Sequence, residues 1–313
     1  MNNRNQNDNV YMIDTKMFGF EKFNAAYIVK GREIALVDTG PATSTEVLYA
    51  GIKSHGFSIE DISHLFITHE HNDHCGNAGK LVKENNRLKV YASPIASEIL
   101  VNPTGHSSWT KSTMKPEMFA RFGEMKPVPQ SNLITVKEGD TFDLGDSEKL
   151  TVFITPGHQP AGIVIYAEKS KGLFINDLVG LNLADADAHW IFTPPRSDVR
   201  QAMESLKKIM GIPLNKLYLG HFGIWDAPTE VMQDALGRMQ WLMDTGARCV
   251  AEGKPEQIEK IILERLMSEA DKIKKVRGEG LYTYVSGELI PHLGKNFAKY
   301  YVDLQKNNNN FSP

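Results

Sequence analysis

Cysteine is nearly absent from this chain: Cys75 and Cys249 are the only two in 313 residues. Two cysteines make no disulfide framework, so the sequence reads as that of a protein from a reducing compartment. No apolar run approaches the ~20 residues that a membrane span requires. The opening stretch from Met1 to Asn9 lacks the apolar core of a secretory signal. It reads as a disordered polar lead over 1–10, and the run Asn307–Asn310 gives the same reading for 306–313. A charge excess of one sign is also missing. The net charge is −3, with no basic surplus to mark a nucleic-acid partner. The expectation left standing is a cytoplasmic protein with no membrane contact, long enough to bury a substantial core in one to three domains.

What the chain does have is metal-ligand chemistry concentrated in one place. Thr68-His69-Glu70-His71-Asn72-Asp73-His74-Cys75-Gly76 follows the apolar run Leu65-Phe66-Ile67. Imidazole and carboxylate suit zinc and related first-row metals. Side chains alternate along a strand, so His69 and His71 leave its end on one side. Asp73 and His74 then lie on a turn able to face a second metal.

Three more apolar, strand-like runs each end in one ligand-type residue. Thr151-Val152-Phe153-Ile154-Thr155-Pro156-Gly157 leads into His158, Gly172-Leu173-Phe174-Ile175-Asn176 into Asp177, and Lys216-Leu217-Tyr218-Leu219-Gly220 into His221. A lone histidine after a strand is usually a surface residue. Strand ends that all carry ligands describe a site gathered along one sheet edge.

The rest of the chain alternates in period. Tyr27–Val29 and Ile34–Val37 read as a hairpin, and Ile163–Ala167 with Leu173–Ile175 as another. Thr43-x-x-Glu46 has the pattern of a capping box opening a helix with Val47, Leu48 and Ile52 on one face. Val199, Met203, Leu206 and Ile209 are spaced for a helix. After 226 the pattern is helical only. Met232-Leu236-Met239-Met243 steps as one face, Ile258, Ile262, Leu266 and Ile273 as a second, and Ile290, Leu293, Phe297, Tyr300 and Leu304 as a third with Pro291 in its first turn.

Taken together, these marks resemble the metallo-β-lactamase-fold metallohydrolase superfamily. Its ligand series is matched by His69-x-His71-x-Asp73-His74, then His158, Asp177 and His221. Ile34-Ala35-Leu36-Val37-Asp38-Thr39-Gly40 resembles its Asp-containing first loop, and the likeness runs over roughly 20 to 225. The fold implied is α/β, an αββα sandwich of the metallo-β-lactamase type over 11–225, with a C-terminal helical extension over 226–305 covering the site. A helical extension after the last metal histidine is similar to that of glyoxalase II and of the alkylquinolone-biosynthesis thioesterase, where it shapes the substrate entrance. The stretch Ile67–Gly76 and the Tyr91-Ala92-Ser93 strand resemble the latter.

By this resemblance His69, His71 and His158 hold one metal, Asp73, His74 and His221 hold the other, and Asp177 bridges them. The cofactors implied are two divalent ions, zinc foremost, with iron or manganese as alternatives. The activity implied is hydrolysis, in which a metal-bridging hydroxide cleaves an acyl bond of a small molecule: a thioester, ester or lactone. Asp73 and Asp177 are then catalytic residues as well as ligands. Asp38 either holds the other ring nitrogen of a ligand histidine or only caps the turn before Thr39-Gly40. Flavodiiron proteins carry Glu where this chain has His71, and add a flavodoxin domain, so redox use is not expected. The alternatives are a single-iron persulfide dioxygenase and a regulatory protein with a largely occluded metal site. A homodimer is left open.

The substrate pocket is sought in two stretches. One is the insert from Val101 to Pro129, with His106, Trp109, Met114, Met118, Phe119 and Phe122. The other follows Asp177, with Leu178, Leu181, His189, Trp190 and Phe192, and Phe222 lies just beyond His221. Aromatic loops beside a metal make an apolar acyl pocket, and packing under a loop is the competing account. Lys111, Lys115 and Arg121 are weak candidates to grip an anionic leaving group. His189 reads either as an assisting acid or hydrogen-bond donor or as a surface residue.

Overall fold

Short apolar runs bounded by Gly, Asp and Asn become strands, and the computed structural model describes them within residues 9–105 and 116–309. The polar lead before Asn9, the tail beyond Asn309, and His106, Trp109, Lys111, Met114 and Lys115 lie outside the described residues. The first sheet runs in chain order: β1 (Val10–Asp14), β2 (Ala25–Lys30), β3 (Ile34–Val37), β4 (Ile62–Phe66), β5 (Lys89–Ala92) and β6 (Leu133–Thr135). Its first three strands pair antiparallel, and β3 to β6 pair in parallel. The second sheet holds β7 (Thr141–Gly145), β8 (Glu148–Ile154), β9 (Ile163–Ala167), β10 (Gly172–Asn176), β13 (Lys216–Leu219) and β14 (Ile224–Trp225), in the order β14-β13-β10-β9-β8-β7. A separate ribbon pairs β11 (Leu181–Leu183) with β12 (Ala188–Trp190).

The chain divides into two compact units. One comprises Met1–Thr155, Ala161–Asn176 and Pro213–Pro228, the other Pro156–Pro160, Asp177–Ile212 and Thr229–Pro313. The first unit contains both large sheets. Tyr27, Val29, Phe66 and Tyr91 of the first sheet share a buried core with Val152, Ile165, Phe174 and Tyr218 of the second. The rings of Tyr27 and Phe174 meet at 5.4 Å, and those of Phe66 and Phe142 at 5.2 Å. Face-to-face burial of this kind is what the alternating strand pattern requires. The other face of the first sheet, with Ile28, Leu36, Leu65 and Val90, is covered by Leu48 and Ile52 of α1 (Thr45–Ser54), Leu81 and Val82 of α3 (Ala78–Glu84), and Ala96 and Leu100 of α4 (Pro94–Val101). A four-residue helix, α2 (Asn72–Cys75), lies between α1 and α3, and α5 (Pro116–Phe122) follows α4 in the chain.

The capping box expected at Thr43 does not form. A 3₁₀ turn over Ala42–Ser44 moves the helix start to Thr45, and no side chain caps it. The Thr43 hydroxyl donates to Arg121 O at 2.6 Å instead.

The second unit is mostly helical. α6 (Val199–Ile209) starts at Asp198, whose carboxylate accepts from the amides of Arg200 and Gln201. Beyond it come α7 (Pro228–Ala251), α8 (Gln257–Arg277), α9 (Glu279–Tyr284) and α10 (Ile290–Asn309). In α8 the buried residues Ile258, Ile262, Leu266 and Ile273 are those the spacing selects. The α7 face is rotated from expectation: Val231, Met232, Ala235, Met239 and Leu242 are buried, while Leu236 and Met243 are half-buried. In α10 Tyr301 is buried and Tyr300 is not; Tyr301 packs where Gly246 of α7 leaves room, since a Cβ there would meet its ring at 2.5 Å. Tyr300 donates to Asp198 Oδ1 at 2.8 Å. Burial, with the Asp198 carboxylate, pushes its hydroxyl up to about 12. Among the described residues no helix is long and apolar enough to cross a membrane.

Candidate metal centre

The ligand-type residues stand just beyond the carboxyl ends of strands, where open α/β sheets place their sites. His69 and His71 follow β4, His221 follows β13, and α2 carries Asp73 and His74. These five belong to the first unit. His69 Nε2 and His71 Nδ1 approach to 3.0 Å. Asp73 Oδ2 lies 3.6 Å from His74 Nε2 and 3.5 Å from His221 Nε2, so two rings face one carboxylate oxygen.

The other ring nitrogens are held from behind. His74 Nδ1 donates to Asp38 Oδ2 at 2.9 Å, and His221 Nδ1 donates to Phe23 O at 3.0 Å. Asp38 also accepts from the Thr68 amide at 2.9 Å and the Thr68 hydroxyl at 2.8 Å. With its proton committed to Asp38, that hydroxyl accepts from His69 Nδ1, 3.2 Å away. Asp38 thus orients His74 directly and His69 through Thr68, which resolves its two expected roles in favour of the histidine. It takes φ +56° at the end of β3, a left-handed conformation that Asp tolerates better than most residues. Asp38→Ala is expected to weaken metal binding roughly 10–100-fold, the usual cost of losing such an outer carboxylate. Titration of folded variant and wild type against a competing chelator checks it; equal affinities would reduce Asp38 to a turn residue.

In the second unit His158 Nε2 and Asp177 Oδ2 are 3.4 Å apart. The loop ending in His158 is clamped to α6. Asp198 N donates to Gly157 O at 2.8 Å, and Ser205 Oγ to Pro156 O at 2.7 Å. Any Cβ at residue 157 would lie 2.3 Å from the Ala202 backbone, so this approach needs glycine. The Phe192 ring packs against that of His158 at 5.9 Å.

These spacings fit a dication. Separations of 3.4, 3.5 and 3.6 Å are long for hydrogen bonds. They are close to the ~3.4 Å edge of a tetrahedron whose ligands sit about 2.05 Å from a zinc ion. The atoms of Asp73, His74 and His221 all lie within 4.8 Å of one another. Cys75 is not part of the donor set. Its buried thiol donates to the backbone oxygens of Glu70 and His71, and burial, with the nearby Glu70, Asp38 and Asp73 charges, pushes its pKa well above the usual thiol range.

Other sequence candidates fall elsewhere. His189 is not a surface residue. It is 4 % exposed, with Nδ1 2.5 Å from Asp234 Oδ2 and Nε2 2.6 Å from Val179 O. This holds the Asp234 carboxyl well below its ordinary range, and pins β12 to α7. Trp190 donates to Glu269 Oε2 at 2.8 Å, so its indole serves packing in the helical unit. Arg121 stacks over the rings of Phe18 and Phe20, at 4.4 and 5.5 Å. Sequence reasoning missed Phe23, Asn24 and Thr68. Phe23 acts through a backbone carbonyl, which no side-chain motif announces.

A family model described as the Metallo-beta-lactamase superfamily matches residues 20–221. The "Probable metallo-hydrolase YqjP" of Bacillus subtilis (strain 168) is 25% identical over 217 residues, 62% of this chain and 66% of that protein. The anaerobic nitric oxide reductase flavorubredoxin of Salmonella typhi is 22% identical over 229 residues, 66% of this chain and 43% of that protein. The chain therefore spans less than two thirds of the length of either relative. A metallo-beta-lactamase family protein from Thermus thermophilus matches with a TM-score of 0.64 at 16% identity, over 95% of this chain and 94% of that one. At that identity the likeness is one of fold: mixed α/β with two sheets and a C-terminal helical region, as the sequence leads one to expect.

Proposed function

The chain belongs to the metallo-beta-lactamase superfamily, and from that premise we propose that it is a dinuclear metal-dependent hydrolase of small-molecule acyl bonds, thioesters first. The observation that carries the reading is Asp73 Oδ2 facing two histidine nitrogens at 3.5 and 3.6 Å while the far nitrogens of both rings are held in place. In this reading Asp73, His74 and His221 hold one ion. By the family resemblance His69, His71 and His158 would hold the other, and Asp177 would be shared by both. Two bound dications supply Lewis acidity and a water whose pKa falls from 15.7 toward roughly 7. The chain's own contribution is orientation. Asp38 and Phe23 O keep His74 and His221 in the tautomer that presents Nε2. Asp73 and Asp177 would balance the charge of the ions, and the Asp73 carboxylate would orient the attacking water and accept its proton.

Zinc is the proposed metal, since five imidazoles and two carboxylates suit it. The second reading is the single-iron persulfide dioxygenase that the sequence leaves open, and similarity to an anaerobic nitric oxide reductase flavorubredoxin keeps an oxidative use of this scaffold in view. His71, where the flavodiiron proteins carry Glu, favours hydrolysis. The proposed setting is the cytoplasm. The test is elemental analysis of the metal-saturated protein, with a screen of thioesters, lactones, aryl esters and phosphodiesters and an oxygen-electrode assay with glutathione persulfide. Two ions per chain and thioester turnover are expected. One iron per chain with oxygen consumption would replace the hydrolase reading by the oxidative one.

A further inference from the structure

We infer that Asn24 is a positioning residue of the metal centre, and that the segment Phe23-Asn24-Ala25 sets the separation of Asp73 and His221. The inference rests on the reading of those two residues as metal ligands. Three consecutive residues at the start of β2 reach both. Phe23 O accepts from His221 Nδ1 at 3.0 Å. Asn24 Nδ2 donates to the backbone oxygen of Asp73 at 3.2 Å. Ala25 N donates to Gly220 O at 2.9 Å, next to His221.

Asn24 is itself fixed. It is fully buried, and its Oδ1 accepts from the Thr15 hydroxyl at 2.7 Å while its backbone oxygen accepts from Thr15 N at 3.1 Å. With the amide oxygen taken by a hydroxyl, the nitrogen is the end turned toward Asp73. The arrangement answers a structural need. Asp73 sits on α2, which has only four residues before the turn at Gly76 and Asn77. The carbonyls of Asp73 and His74 are bound from outside, by Asn24 and by Thr39, whose amide donates to His74 O at 2.7 Å. His221 arrives from the other sheet, after β13. No strand pairing relates it to Asp73, so the β2 segment supplies the register between them. A metal site tolerates roughly 0.5 Å of misplacement, which a lost amide contact can exceed.

The experiment is a competitive zinc titration with a chromophoric chelator, on the full chain and on Asn24→Ala and Thr15→Val. Wild type is expected to bind two ions. Asn24→Ala is expected to weaken one of them roughly 10–100-fold and leave the other unchanged, as loss of outer support does at a metal ligand. Thr15→Val, which touches no ligand, should shift the same ion by less. A merely structural asparagine would lower both affinities together or neither, and either result overturns the inference while the two-ion reading stands. A wild type that binds one ion removes the dinuclear reading itself, and this inference with it. Where Asn24→Ala fails to fold, Thr15→Val decides by the same split: a shift in one ion supports the inference, and wild-type affinities refute it.

Discussion

Asp177→Asn is expected to abolish hydrolysis and to leave a folded protein that holds one ion. The substitution keeps the shape of a buried side chain and removes one negative charge. In the proposed centre that charge is shared by two dications, which otherwise repel each other across roughly 3.5–4 Å. The amide keeps an oxygen that can serve one ion but offers no second anionic oxygen to the other. Loss of the bridge would also remove the Lewis acidity that a second bound ion would supply. The fall in kcat should be roughly 10³-fold or more, as for loss of a principal charge-stabilising group. Circular dichroism and elemental analysis of the same sample check both halves. A variant with wild-type turnover would show that Asp177 is not the bridge.

Removing the metals altogether is expected to destabilise the protein as well as inactivate it. An ion bound only by the native state stabilises it by about 4.1 kcal/mol when its free concentration is 1,000 times Kd. For a domain of this size that corresponds to a melting temperature lower by the order of 10 °C in excess chelator. Restoration should follow zinc and not magnesium, because magnesium prefers oxygen ligands in near-octahedral geometry and this donor set is rich in imidazole. Calorimetry with and without chelator measures the shift. A melting temperature unchanged within about 2 °C would mean that the histidine cluster holds no ion in the native state.

Much of this was legible before any coordinates. His69, His71, Asp73 and His74 announce themselves by spacing, and apolar runs ending in His158, Asp177 and His221 place further ligand-type residues at strand ends. Strand pairing in the two hairpins also followed from local pattern. Errors came where a local rule met a neighbour. The Thr43 cap lost to a 3₁₀ turn and to Arg121 O. The apolar face of α7 turned toward Ala235 and Leu242 because packing, and not residue size, chose it. His189 appeared exposed because nothing in sequence reveals that Asp234 and Val179 O would meet its ring.

The sequence by itself therefore determined which ligand-type residues the proposed centre has to offer. Ligand type and strand-end spacing are properties of the chain over short distances, set by backbone periodicity. Only the tertiary structure decided how those ligands are held. Asp38 meets His74 across 36 positions, Asn24 meets Asp73 across 49, and Phe23 O meets His221 across 198. Contacts so distant in sequence, two of them made to or from backbone atoms, leave no periodic trace: the first two exist only once the strands of the first sheet have assembled, and the third only once the two sheets have closed on each other.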